Sequence, residues 1–250
     1  MGAHDDIHQS WLEARAQLDD AARDDALCEA AWSRLPHGGH VLDFGGGTGN
    51  AALTHRAQPW GRWTVLERNA ALASAVSADG RHVSWLHSEF PDEASLAAMA
   101  SADLIHASAV LDMLTESQLI ALIDAARTNA VTLYAPLNVL QHTTGDGTTE
   151  DAERLAEYDA HMSRNSEHGG PLGPAWRDVW RRACPTAGVR SSPSMWRVGS
   201  ESGDALAFIA GFLRDGHSDA AGLAWCADFE ARLRLGSVAL DVHHEDVLLE

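Results

Sequence analysis

Residues 40–50 read HVLDFGGGTGN, an apolar run entering a loop with glycines at 45, 46, 47 and 49 and a carboxylate, Asp43, two residues before the first of them. Glycines at that spacing let backbone amides approach a ligand without side-chain obstruction and permit positive φ where a strand turns sharply into a helix. A dinucleotide-binding loop reads G-x-G-x-x-G, with apolar strand up to the first glycine. Here the spacing is G-x-G-x-G, and the carboxylate is a poor neighbour for a pyrophosphate but a good one for a ligand carrying an ammonium or sulfonium group. Glu67 closes the next apolar run, 18 residues after Gly49, where a carboxylate can accept from both hydroxyls of a ribose. Glu89 ends the third run; it can accept from an exocyclic adenine amine, with Phe90 beside the ring.

Further candidates lie downstream. Ser108 and Asp112, in HASAVLDML, fall where a fourth strand delivers side chains to its carboxyl end; Ser108 is expected to line the cofactor cleft. Asp112 fits a general base, a grip on a substrate amine or a helix cap equally well. His161 and His168 fall in a segment with the character of a lid, where a histidine can act as a base near neutral pH or stand on the surface. The adjacent pair His243-His244 would point to opposite faces of a strand, so no metal site is expected there. Trp176, Trp180 and Trp196 read as an aromatic substrate wall or as core, and Arg15 reads as a solvated helix position more readily than as a contact to a carboxylate.

The elements that must position these residues follow from periodicity. Residues 10–35 are Ala-rich with apolar positions at helical spacing, and Pro36-His37-Gly38-Gly39 ends that leading helical segment. Short apolar runs then alternate with helical stretches: 41–44 with 50–57, 63–66 with 69–78, 83–86 with 91–100, 104–108 with 116–127, then 130–135. Repeated strand-then-helix units imply a parallel sheet covered on both faces. From Pro136 the rhythm changes to a Thr/Gly/Asp-rich loop, a charged helix over 151–166 and a Gly/Pro turn, an expected helical insertion ending at about 174. A helix over 175–183, a strand over 189–198, helical material over 204–233 and a strand near 237–243 complete the chain.

Composition narrows the function classes. The chain has 250 residues, 45% of them hydrophobic, enough for a substantial core and an expected single domain, 1–250. Its net charge of −18, from 36 acidic and 18 basic residues, opposes a phosphate backbone or an anionic membrane, so neither nucleic acid nor membrane is an expected partner. All the basic residues are Arg, which excludes a Schiff-base lysine and a P-loop lysine. The three cysteines are far apart and odd in number, as reduced thiols are. The acidic first ten residues carry no apolar signal core, and the expected compartment is the cytoplasm.

VLDFGGGTGN, the acidic Glu67 and the acidic turn at Glu89 resemble motifs I, II and III of the class I S-adenosylmethionine-dependent methyltransferases, over roughly residues 38–135. SWLEARAQLDDAAR, ADLIHASAVLDMLT, GGPLGP, SPSMWRV and HHEDVLLE are similar to a bacterial small-molecule methyltransferase-like subgroup of that family. The resemblance implies an α/β, Rossmann-like, seven-stranded and mostly parallel sheet with an antiparallel last strand, helices on both faces, an N-terminal helix and a helical insertion after strand 5. It implies lid or substrate elements at about 1–37 and 136–174. It would place Asp43, Gly45, Gly46, Gly47 and Gly49 at the methionine moiety, Glu67 at the ribose, Glu89 and Phe90 at the adenine, Arg68 among the cofactor-binding residues and Ser108 in the cleft, with no metal; Asp112 and His161 become the candidate catalytic bases. The implied reaction is transfer of a methyl group from S-adenosylmethionine to a small-molecule acceptor by in-line displacement, which needs alignment and exclusion of water but no covalent intermediate. A protein that binds S-adenosylmethionine or S-adenosylhomocysteine without transfer is the alternative, and a nicotinamide oxidoreductase is a third reading that the loop spacing does not supply. Assembly as a homodimer is left open.

Overall fold

The computed structural model describes residues 9–54, 61–73, 83–164, 169–184 and 188–250. Seven strands form one sheet in the order β3-β2-β1-β4-β5-β7-β6: β1 His40–Phe44, β2 Arg62–Glu67, β3 Val83–His87, β4 Leu104–His106, β5 Thr132–Thr143, β6 Val189–Val198 and β7 Leu240–Leu249. The first five strands are parallel, and β7 runs antiparallel between β5 and β6. Every residue of β1 is buried, as expected for a central strand covered on both faces. The parallel strands therefore end together at one edge of the sheet, and between β1 and β4 the order in which the chain adds strands reverses, the position at which open α/β sheets bind ligands.

Helices cover both faces: α1 Gln9–Ala22, α2 Asp25–Trp32, α3 Asn50–Thr54, α4 Ala70–Ala73, α5 Glu93–Ala100, α6 Glu116–Thr128, α7 Thr149–Arg164, α8 Trp176–Ala183, α9 Gly203–Asp215 and α10 Ala220–Arg234. The expected helical ends at 55–57 and 74–78 lie outside the described residues. The leading helical segment is two helices rather than one. It breaks at Asp24, whose side chain caps α2 by accepting from the Leu27 amide at 2.7 Å. The Asp24 amide turns away to Asp246 on β7, at 3.0 Å, so a tertiary bond competes with helix continuation there.

The insertion also begins later than Pro136. β5 runs on to Thr143, because β7 offers it an antiparallel partner from Asp241 to Leu249, and β7 is correspondingly longer than 237–243. The register shifts between Ala135 and Asn138, where Pro136 has no amide to contribute and Leu137 adopts φ +64°. Asp246 accepts from the Leu137 amide at 2.8 Å and from the Ser194 hydroxyl on β6, which holds this bulge between its two neighbours. Loop 144–148 and α7 then form the true excursion.

α7 is fastened by one buried carboxylate. Asp151 accepts from Trp225 Nε1 at 2.8 Å, from the two Arg232 terminal nitrogens at 2.9 and 2.6 Å and from the Thr148 amide at 2.7 Å. Hydrogen bonds from Arg232 lead in holding its carboxyl far below the usual carboxylate range. A depressed acid contributes stability that is present above its unfolded value, near 3.9, and lost as pH falls through and below it. Asp151→Asn is therefore expected to cost about 2–3 kcal/mol in urea denaturation at pH 7. The cost should shrink below about pH 4, where the unfolded chain takes up a proton that the folded carboxylate still excludes.

Candidate functional site

At the end of β1 the chain makes a tight turn, with the Gly49 amide donating to the Gly46 carbonyl at 2.8 Å. A Cβ on Gly46 would collide with the Asp43 carboxylate and stand 2.9 Å from Val65, so only glycine lets the loop fold back over its own strand. Gly47 has φ +57° and carries Leu12 of α1 directly above it. Its amide donates to Glu67 Oε2 at 3.0 Å, while Oε1 accepts from the Asn69 amide at 2.8 Å. The β2 end is thereby tied to the glycine loop.

Asp43 is almost wholly buried. In the parallel register it lies beside His106 on β4, and its Oδ1 is 2.8 Å from His106 Nδ1. Oδ2 has no hydrogen-bond partner among the described residues. The His106 ring stacks near Trp32 at 6.1 Å and tilts against Tyr134 at 5.8 Å, so this carboxylate is oriented from beneath the loop by a side chain packed between aromatic rings.

The remaining sequence-derived positions cluster along the same edge. Arg68 is exposed, and its carbonyl accepts from His87 Nε2 at 2.8 Å. Glu89 is exposed, while Phe90 is buried edge-on against Phe44 at 4.9 Å. Between them and α5, the Ser88 hydroxyl leads the bonds that lower the Asp92 carboxyl to about 2, and Asp92 caps α5. Ser108 follows β4, its hydroxyl 3.4 Å from an Arg23 nitrogen. Asp43, the glycines, Glu67 and Ser108 thus all occupy the carboxyl ends of β1, β2 and β4, with Glu89 and Phe90 after β3.

A cavity of about 210 Å³ opens beyond β4 and the β5 bulge. Trp11, Trp196, Phe208 and Phe212 wall it, and Asp112, Arg15, His142 and Tyr158 are its charged or titratable members. Asp112 sits in a 3₁₀ turn, Leu111–Met113, anchored from the bulge: the Leu111 amide donates to Asn138 Oδ1 at 3.0 Å, and Asn138 Nδ2 donates to the Ala135 carbonyl at 2.8 Å. Burial pushes the Asp112 carboxyl up to about 6, and the positive charge of Arg15 opposes the shift without cancelling it. Its Oδ1 has no hydrogen-bond partner among the described residues.

Arg15 is not on a solvated helix face. It pairs with Asp19, with Nε 3.0 Å from Oδ2, both side chains 12% exposed, and its guanidinium lies 5.1 Å over the Trp196 ring. Trp196 thus belongs to the cavity, whereas Trp176 and Trp180 pack in the core. His161 lies on α7, its Nδ1 3.5 Å from an Arg164 nitrogen, and does not line the cavity; its helix neighbours Tyr158 and Met162 do. His168 lies outside the described residues. His243 bonds the Thr143 hydroxyl at 2.7 Å, while His244 is buried on the other side against Trp196.

Sequence reasoning missed His142, which it placed in a loop leading to the insertion. In the structure it is near the end of β5, with Nδ1 2.6 Å from Asp159 Oδ1 and its amide 2.9 Å from Asp159 Oδ2. The signal available was the 17-residue spacing of a histidine and a carboxylate across a turn, but nothing in the sequence shows that strand and helix meet there.

The sheet order and the glycine loop at its switch point are those of a Rossmann-like α/β fold. Among solved structures the chain is similar to a putative type II methyltransferase from Anaeromyxobacter dehalogenans, at 14% identity, over 89% of this chain and 94% of that one, with a TM-score of 0.51. It is also similar to a putative methyltransferase from Bacillus halodurans, at 10% identity, over 90% and 95% of the two chains, with a TM-score of 0.50. No family model and no curated protein matches the sequence. The likeness is one of fold.

The raised Asp112 has a measurable consequence. An acid whose folded value lies above its unfolded value loses stability as pH rises between the two, here from about 4 to about 6, because the folded state holds the proton that the unfolded chain releases. Asp112→Asn is expected to raise the melting temperature at pH 7.5, with the gain fading below about pH 4. An unchanged or lowered melting temperature at pH 7.5 would contradict the burial of a charge in this cavity.

Proposed function

We propose that the protein transfers a methyl group from S-adenosylmethionine to a small-molecule acceptor held in the cavity beside the glycine loop. The observation that carries this reading is the pairing of two features: a glycine loop with acidic residues at two successive strand ends, and an aromatic cavity with its own titratable side chains. The loop fits an adenosyl sulfonium by three properties. Its glycines leave room for close backbone approach, the Asp43 Oδ2 is an unpartnered negative atom among the described residues, and Glu67 presents a carboxylate where a ribose would meet the β2 end. Bound there, the cofactor supplies a methyl group already activated on sulfur.

The chain's own residues do the rest. Asp43, oriented by His106, favours a positive ligand, and Glu67 exchanges its bond from the Gly47 amide for ribose hydroxyls. α1 roofs both regions, with Leu12 on the loop and Trp11 in the cavity, so closure of this helix excludes water from the reacting atoms. The cavity also favours transfer over binding alone. A protein that merely held the cofactor would have no use for Asp112, Arg15 and His142 converging in a second, apolar space.

Titration calorimetry with S-adenosylmethionine, S-adenosylhomocysteine and NAD tests the loop. Heat is expected with the first two and none with the third. Glu67→Ala should weaken binding by about tenfold, equivalent to about 1.4 kcal/mol. Absence of heat with both adenosyl ligands would overturn the reading.

A further inference from the structure

We infer that His142 is the general base of the cavity, that Asp159 is its positioning residue, and that the acceptor is an uncharged, ring-sized alcohol or phenol. The inference rests on the methyl transfer proposed above. It starts from a half-buried dyad. Asp159 holds His142 twice, through Nδ1 at 2.6 Å and through the backbone amide at 2.9 Å, and the two side chains are 9% and 18% exposed. A carboxylate only accepts, so the hydrogen resides on Nδ1 and the lone pair on Nε2. No described residue bonds Nε2, His142 lines the cavity, and the Tyr158 ring stands edge-on to the imidazole at 5.1 Å. Both Tyr158 and Asp159 ride on α7, which the Asp151–Arg232 bonds hold to α10. The imidazole is therefore fixed in one tautomer and one orientation, the arrangement a histidine base requires.

The charge and shape of the walls select the acceptor. Arg15 occupies the aromatic face of Trp196 that an ammonium would need and places a positive charge in the cavity, so a cationic acceptor is opposed. The same guanidinium is already paired with Asp19, and Asp112 opposes a carboxylate acceptor. Trp11, Trp196, Phe208 and Phe212 suit a flat apolar body, and about 210 Å³ is below the roughly 300–1,000 Å³ of pockets for larger ligands. A neutral amine needs no base, whereas a hydroxyl is a weak nucleophile until its proton is removed. The presence of a fixed base beside an uncharged apolar space therefore points to oxygen.

In the transfer, the acceptor O–H bond breaks and its proton passes to His142 Nε2. The oxygen electron pair forms the new carbon–oxygen bond, the pair of the broken carbon–sulfur bond stays on the sulfur of the sulfonium donor, and the imidazolium later releases its proton to water. The titratable or charged groups around His142 are Asp159 and Tyr158 on α7, Asp112 in the turn after β4, Arg15 on α1, and His243 and His244 on β7. Asp112 is the competing base; backbone amides bond its carboxylate, and only its Oδ1 lacks a partner among the described residues.

The probe is 4-nitrophenol, whose anion absorbs in the visible, titrated against pH in the presence of the full-length protein saturated with S-adenosylhomocysteine. Bound to wild type, it is expected to ionise about one pH unit below the free phenol, a tenfold shift. His142→Gln should bind the probe and lose most of that shift. Asp159→Asn, which permits the wrong tautomer, should reduce it, and Asp112→Asn should keep it. Retention of the shift in His142→Gln, its loss in Asp112→Asn, or failure of the wild type to bind the phenol overturns the inference. Calorimetry with S-adenosylhomocysteine alone reports separately on the cofactor reading, which can stand when this one falls.

Discussion

The site depends on one buried carboxylate that belongs to neither the glycine loop nor the cavity. Asp246 on β7 accepts from the Leu137 amide on β5, the Asp24 amide ahead of α2 and the Ser194 hydroxyl on β6. Burial pushes its carboxyl upward, and those three donors offset the cost of keeping it inside. What it stabilises is a distortion. The left-handed Leu137 and the register shift in β5 re-aim the strand, so that Asn138 reaches back to anchor the turn carrying Asp112. Past the bulge, β5 continues far enough to present His142 to α7.

Charge in this acidic chain is arranged locally in pairs. With a net charge of −18, the described interior still joins Asp43 to His106, Asp159 to His142, Asp151 to Arg232 and Asp19 to Arg15. Pairing is what permits charge at low exposure, since an isolated buried ion would neutralise instead. Asp112 has no ion-pair partner within the cavity it lines: its Oδ1 lacks a hydrogen bond among the described residues, and burial raises its carboxyl. A residue held at that cost is characteristic of a working site, where local stability is exchanged for chemistry.

Much of the fold was legible before the structure. Alternating apolar runs and helical stretches identify strand–helix units without reference to their partners, because burial on both faces demands continuous apolar strands. The glycine loop was legible from its spacing and from Asp43 before it, while the structure adds why Gly46 must be glycine: a Cβ there would meet Asp43 and, from the next strand, Val65. Boundaries failed where a distant partner decided them. Asp24 breaks the leading helix because Asp246 takes its amide, and β5 passes Pro136 because β7 continues beside it. Arg15 reads as a surface position at helical spacing until Trp196, far along the chain, supplies the ring it covers.

The amino-acid sequence by itself therefore determined the sheet, its parallel half and the acidic glycine loop, all of which follow from periodicity and local steric demand. Only the tertiary structure decided what lies beyond that loop. The cavity is assembled from α1, the turn after β4, β5 from its bulge onward, α7, β6, α9 and β7, and no spacing along the chain encodes their meeting. His142 and Asp159 become a dyad because a bulged strand and an inserted helix converge, and a side chain's proton-accepting power depends on that neighbour rather than on its own identity.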